Sequence, residues 1–165
     1  MVVELFGVDD GERMLRAFAV RRAVFVREQG VPEAEEIDAH DRSDASACHA
    51  LIAEAGSPVA AGRFFARSDG AVQIGRMAVL AGYRGRGYGR ALLDALVAEA
   101  QRRGYRRVVL HAQTHACGFY ELAGFSAHGP EFLDAGILHV EMERTIAPQN
   151  DSARIGRCGR YRSAE

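Results

Sequence analysis

Cysteine is scarce in this chain of 165 residues, and the three that occur, Cys48, Cys117 and Cys158, are far apart, odd in number and in no Cys-x-x-Cys pair. Neither a disulfide framework nor a zinc site is suggested by that spacing, and no metal is expected. The scarcity suits a reducing cytosol. No apolar run approaches the roughly 20 residues of a membrane-spanning helix. The start Met1-Val2-Val3-Glu4 has no basic leader ahead of an apolar stretch. A soluble, unexported, cytoplasmic protein without a membrane partner is the expectation. An excess of one charge is missing too: Lys+Arg 21 against Asp+Glu 22 gives a formal net charge of -1, and the basic residues are arginines spread along the chain. Nucleic acid is therefore not an expected partner. The length predicts one domain around a single core.

Against these absences stands one stretch, Gln73 to Tyr105, around which the rest is organised. An apolar strand, Ile74 to Leu80, runs into Ala81-Gly82-Tyr83-Arg84-Gly85-Arg86-Gly87-Tyr88-Gly89-Arg90 and then into a helix. Leu92, Leu93, Leu96, Val97 and Ala100 recur at the spacings of one buried helix face, with Asp94, Glu99, Gln101 and Arg102 opposite, and Gly104 stops the helix. Glycines at alternate positions before the first turn leave no Cβ atoms between a ligand and the backbone, so several free N–H groups can converge on one anion, and the helix dipole assists. A phosphate or pyrophosphate is the natural guest. A Walker loop would end in Gly-Lys-Ser/Thr, whereas this one ends in Gly89-Arg90. A dinucleotide fingerprint would want a glycine at Arg90 and an acidic residue where the next strand has His111. Both alternatives fail, which leaves Arg84-x-x-Gly87-x-Gly89.

In chain order, Val2 to Val8 reads as an edge strand and Asp10 as the N-cap of a helix from about Glu12 to Glu28. That helix is expected to turn Met14, Leu15, Phe18, Ala19, Val24 and Phe25 inward and Arg13, Arg16, Arg21, Arg22 and Arg27 outward, ending at Gly30-Val31-Pro32. An acidic connector follows, with Glu33, Glu35, Glu36, Asp38, Asp41 and Asp44 around His40. Cys48 to Glu54, Val59 to Ala66 and Val72 to Leu80 read as an antiparallel meander with turns at Ala55-Gly56-Ser57-Pro58 and Ser68-Asp69-Gly70. His49 could face the connector and pair with a carboxylate, and Arg76 points to solvent or does the same. A strand over Arg106 to Ala112 after the central helix implies a right-handed parallel crossover. A strand, a loop and a last strand from Ile137 to Ile146 close the domain, and the polar segment 147–165 is expected to be a flexible tail.

Three segments carry a family resemblance. Arg84-x-x-Gly87-x-Gly89 resembles the R/Q-x-x-G-x-G/A pyrophosphate loop of the GNAT superfamily of acyl-CoA-dependent N-acetyltransferases. Gln113 to Phe125 is similar to the GNAT pattern N-x-x-A-x-x-x-Y-x-x-x-G-F, with Ala116, Tyr120, Gly124 and Phe125 in place and Gln113 where asparagine is common. Val24 to Pro32 followed by the Glu-rich run with Asp38-x-x-Asp41, together with Phe125 to Met142, resembles the ElaA/YjcF-like branch. The resemblance covers Val2 to Ile146 and makes residues 1–146 one acetyltransferase domain. It implies an α/β (α+β) fold: a mixed, mostly antiparallel sheet with helices on both faces and one parallel crossover at the coenzyme site.

It also implies acetyl-CoA as co-substrate, direct attack by a primary amine in a ternary complex, and an acceptor that is a small-molecule amine or peptide amine. Backbone N–H groups of Arg84, Gly85, Arg86, Gly87, Tyr88, Gly89 and Arg90 would hold the pyrophosphate, Met77, Ala78 and Val79 would pair with the pantetheine arm and polarise the thioester, and Gln113 would add a contact. Tyr120 would protonate the departing thiolate, with Glu131 and His139 as further catalytic candidates. Glu33, Asp38 and Asp41 would line the acceptor side and favour a cation. A non-catalytic acyl-CoA-binding or regulatory module is the alternative. A monomer and a homodimer are both left open.

Overall fold

A computed structural model describes residues 1–148. Seven strands form one sheet in the order β1-β2-β3-β4-β5-β7-β6. They are β1 (Glu4–Phe6), β2 (Cys48–Glu54), β3 (Ser57–Ala66), β4 (Val72–Val79), β5 (Arg107–Gln113), β6 (Ser126–Asp134) and β7 (Ile137–Thr145). All neighbours are antiparallel except β4 and β5, which are parallel as the crossover predicts. The β2–β3 turn is tighter than expected, with Ala55 and Gly56 both left-handed at φ 47 and 81, the geometry of a two-residue hairpin.

The two sheet faces have separate cores. On one, helix α3 (Tyr88–Arg102) buries Leu92, Leu93, Leu96, Val97 and Ala100 against Phe64, Ile74 and Leu110. On the other, helix α1 (Gly11–Arg21) buries Met14, Ala17, Val20 and Val24 of its continuation against Leu51, Ala61 and Ala78. Asp10 caps α1 as expected, accepting from the Arg13 N–H at 3.2 Å.

The first helix departs from expectation in three ways. Leu15 is 67% exposed and Ala19 is exposed, while Ala17 and Val20 take the inward places. Arg21, expected outward, is 1% exposed. After Arg21 the helix widens into a π-helical stretch, Arg22–Glu28, closed by Gln29 N–H to Val24 C=O at 3.2 Å and Val31 N–H to Phe25 C=O at 2.9 Å. That extension overhangs the end of β4.

Two irregularities in β4 open the sheet. Ala61 pairs with Ala78 but Arg63 with Gly75, so β4 carries one extra residue, a bulge at Arg76, whose φ is 52. Gly62 lies opposite because a Cβ there would stand 2.7 Å from the Met77 sulfur. The bulge shifts the alternation, so that Ala78 faces α1 while Met77 and Val79 pack toward α3. On the other edge, β4 and β5 pair only from Val72–Val108 to Ile74–Leu110. Beyond Ile74 the strands splay, and Gly75 to Val79 present a main-chain edge with no strand beside it among the described residues.

Candidate active site

The splay, the π-helical overhang and the start of the connector enclose a cavity of about 520 Å³. Its base on the β4 side is Gly75 to Val79, and Gln113 and His139 stand on the opposite arm. Because Val108, Leu110 and Ala112 point into the α3 core, His111 and Gln113 face the α1 side, which α1 does not cover there.

The glycine loop closes one end. Gly85 and Gly87 are left-handed at φ 74 and 86, and a Cβ built on either would meet nothing within 4 Å, so the space over the loop is open. Gly87 caps α3 without a side chain, and the first α3 hydrogen bond runs from Ala91 N–H to Gly87 C=O at 3.0 Å. Among the described residues, no main-chain carbonyl accepts from the N–H groups of Gly85 to Arg90. These orphan donors at a helix N-terminus fit a pyrophosphate, and the bare edge of Gly75 to Val79 fits an amide-bearing arm. The side chains of the loop are otherwise occupied. Tyr88 is buried with its hydroxyl on Glu54, and Arg90 pairs with Asp94 at 2.9 Å. Arg86 lies 5.4 Å over the Tyr83 ring. Arg84 donates to Val79 C=O at 2.9 Å and to both Glu28 oxygens at 3.0 and 2.8 Å. Gln113 donates to the Gln29 amide oxygen at 2.9 Å. Glu28 and Gln29 thus each grip one arm of the splay, contacts that sequence reasoning missed because they join residues far apart in the chain.

Tyr120 stands on helix α4 (Cys117–Leu122), half-buried, with its ring edge-on to Phe119 and Phe125. Burial, with a smaller contribution from Cys117, pushes its phenol up to about 12. His139, 9% exposed, lies stacked on Phe132 with its Nδ1 2.7 Å from Ile137 C=O. A carbonyl can only accept, so Nδ1 carries hydrogen and, in the neutral ring, Nε2 keeps its lone pair. Both residues line the cavity. Glu131 does not; it lies exposed on the edge strand β6.

The connector carboxylates are taken up internally. Asp41, 4% exposed, is held by Arg21 at 2.7 and 3.0 Å and by Arg63 at 2.6 Å. Burial alone would raise its carboxyl, but the Arg21 hydrogen bond and charge, with Arg63, hold it well below the usual carboxylate range. Asp38 takes a two-pronged bond from Arg63 at 2.8 and 2.7 Å, and Glu36 receives Arg21 at 2.7 Å. Glu33 is exposed and paired with Arg22 at 2.6 Å. Glu33, Asp38 and Asp41 therefore lie outside the cavity lining, whereas Glu35 and Glu36 reach it. The Asp38-x-x-Asp41 spacing is a capping box, with Asp38 accepting from His40 N–H and Asp41 from Asp38 N–H, both at 3.0 Å. His49 is buried and faces the connector as expected, but its hydrogen-bond partner there is the His40 C=O, 3.2 Å from Nε2, and Asp41 stands 4.0 Å away. Burial lowers its pKa and favours the neutral ring.

The sequence profile of the acetyltransferase (GNAT) domain matches residues 21–146. The uncharacterised N-acetyltransferase YjcF of Bacillus subtilis is 39% identical over 132 residues, 79% of this chain and 91% of YjcF. Among solved structures, an acyl-CoA N-acyltransferase from Pseudomonas aeruginosa superposes with a TM-score of 0.78 at 28% identity, over 87% of this chain and 98% of its own. Escherichia coli ElaA superposes with a TM-score of 0.78 at 26% identity, over 87% and 99%. No helix among the described residues is long and apolar enough to cross a membrane.

Proposed function

The chain belongs to the GNAT acetyltransferase family, and on that basis we propose that it transfers an acetyl group from acetyl-CoA to a primary amine by direct attack within a ternary complex. The observation that carries this reading is the bare edge of Gly75 to Val79 leading straight to the orphan N–H groups of Gly85 to Arg90. Such an edge offers hydrogen bonds to an amide-bearing arm, and such a loop offers them to its pyrophosphate. Acetyl-CoA supplies the activated acetyl group as a thioester.

The chain's own residues supply the proton transfers. His139, with Nδ1–H fixed on Ile137 C=O, takes a proton from the amine at Nε2, directly or through one water. Tyr120 donates its phenolic proton to the departing sulfur, and because burial raises its pKa it is fully protonated at neutral pH. The bond formed is C–N, the bond broken is C–S, and one proton leaves the amine as one reaches the thiolate. The test is a screen of primary amines with acetyl-CoA that follows thiol release, run beside a direct measurement of coenzyme affinity. Turnover of any amine with acetyl-amide product supports the reading. Tight coenzyme binding with no turnover across the panel would replace it with a binding module.

A further inference from the structure

Arg76 lines the cavity, and acetyl transfer alone does not use it. It is the extra residue of the β4 bulge, and its φ of 52 is a left-handed conformation that strains a residue with a side chain. The strain turns the guanidinium off the strand and under the connector. There Nε donates to Glu36 C=O at 3.1 Å and Nη2 to Glu35 C=O at 3.2 Å. Its carboxylate contacts are looser, 3.2 Å to Glu36 and 3.6 Å to Asp38. Among the described residues Nη1 has no acceptor within hydrogen-bonding distance.

The carboxylates that Arg76 contacts, Glu36 and Asp38, are already committed, while Glu35 beside them keeps an exposed carboxylate outside any ion pair among the described residues. Asp38 is gripped by Arg63, Asp41 by Arg21 and Arg63, and Glu36 by Arg21, all at 2.6–3.0 Å. Burial, together with the charges of Arg63 and Arg21, pulls the Arg76 pKa down even though Glu36 opposes this, while Arg21 is raised by Asp41 and Glu36 despite its own burial. With its carboxylates at 3.2 and 3.6 Å, against 2.6–3.0 Å for Arg21 and Arg63, Arg76 is the most loosely paired guanidinium of the three, and it is the one that lines the cavity. Strain of this kind persists where the surroundings hold a group in place for use.

We infer that Arg76 is an anion-recognition residue and that the acceptor is a primary amine that also carries a carboxylate, of the amino-acid type. The inference rests on the acetyl-transfer reading of the same cavity. The carboxylate docks on Nη1 of Arg76, and the amine points across the cleft toward His139 and Tyr120 on the opposite arm. A charge-assisted bond of this kind is strong and directional. The cavity, shared by acceptor and coenzyme arm, has room for a small molecule.

The experiment compares the common amino acids with their α-amides and with the corresponding amines lacking the carboxyl group, using wild type, Arg76→Gln and Arg76→Lys, with melting temperature and acetyl-CoA affinity measured for each. Wild type is expected to favour the acid member of each set. In Arg76→Gln the acceptor KM for the acid should rise roughly 10- to 100-fold, the loss expected for one hydrogen bond to a charged group. The amide's KM should rise far less than the acid's, and the coenzyme affinity should stay as it was. Arg76→Lys should retain part of the preference. Equal use of acid and amide by wild type overturns the inference. So does an equal fall in kcat for both in Arg76→Gln, which would assign Arg76 to the reacting carbonyl or to the connector fold. Binding of N-acetyl amino acids and their amides to the protein–CoA complex, read by calorimetry, separates this from the acetyl-transfer reading. Acid-selective binding lost in Arg76→Gln, with no amine turned over by wild type, keeps the anion site and removes acetyl transfer. No acid-selective binding and no acid-selective turnover removes the site.

Discussion

Replacing Tyr120 with phenylalanine deletes one hydroxyl and its proton and keeps the ring that meets Phe119 and Phe125 edge-on at 5.0 and 6.1 Å. With the phenol pushed up to about 12, only on the order of 10⁻⁵ of the protein is ionised there at neutral pH, so the proton is in place when a thiolate departs. A positioned acid contributes on the order of 10²–10⁴-fold. We expect Tyr120→Phe to lower the single-turnover rate at least roughly tenfold, the cautious side of that range. Acetyl-CoA affinity should be unchanged. The rate must be read where chemistry limits, since slow product release would hide the loss. A second readout uses linkage. The unfolded phenol titrates near its ordinary value of 10.0 and the folded one at about 12, so the stability tied to this group is fully present below pH ~10 and is lost as pH rises through the folded value. That contribution is on the order of 2 kcal/mol, and the phenylalanine variant should lack the alkaline loss. A near-native single-turnover rate in Tyr120→Phe would remove the residue from the mechanism and return the acid role to water, Cys117 or His139.

Three further outcomes follow from the same geometry. Gly87→Val forces a β-branched residue to a φ of 86; it should cost roughly 2–8 °C in melting temperature and abolish most of the stabilisation that acetyl-CoA gives wild type, so a folded variant with undiminished coenzyme affinity refutes the phosphate-loop reading. Asp41→Asn leaves Arg21 and Arg63 without their shared carboxylate and should destabilise by about 3–5 kcal/mol in denaturant unfolding; since the folded pKa of Asp41 is depressed, wild type should lose the corresponding stability only as pH falls below the ordinary carboxylate value. Glu28→Gln frees Arg84, whose pair is half-exposed at 47% and 39%, so coenzyme affinity by titration should rise by no more than roughly fivefold at low salt and the gain should fade as salt is added; a drop in affinity would show that Glu28 orders the loop instead of competing for it.

What the sequence disclosed and what it withheld divide along physical lines. The α3 face from Leu92 to Ala100 and the loop from Gly85 to Gly89 were legible because their signals are local: helical spacing, and glycine where a Cβ would block a ligand. Arg21 was not. Its burial depends on Glu36 and Asp41, 15 and 20 residues away, and no local pattern separates an arginine with such partners from one on a solvated face. Arg63 carried a faint signal, a lone charge within the apolar run from Val59 to Phe65. The connector misled for a related reason. Asp38 and Asp41 are expected on the acceptor side, but the pair caps one turn of helix and neutralises buried arginines. The π-helical stretch was hidden because a turn closed at i+5 leaves no separate period in so short a segment. The β4 bulge was hidden because Gln73 to Leu80 reads equally well as an unbroken strand.

That bulge ties the site to the fold. Were Arg76 a regular, in-register member of the strand, Met77 and Ala78 would exchange faces, and a methionine would stand where Ala78 now fits beneath α1. The same extra residue turns a guanidinium toward the connector, where it holds the Glu35 and Glu36 carbonyls and so fixes the connector side of the cavity. Straightening β4 would therefore misplace the Met77–Val79 edge and release the connector together, and a strained backbone can persist here because packing on both faces and three guanidinium groups oppose its relaxation. The Met77–Val79 edge and the connector wall of the cavity are in this sense set by one residue. Arg76→Gln leaves the bulge intact and should therefore spare acetyl-CoA affinity, read by titration, while it weakens acceptor use; a fall in acetyl-CoA affinity would show that the guanidinium itself holds the Met77–Val79 edge.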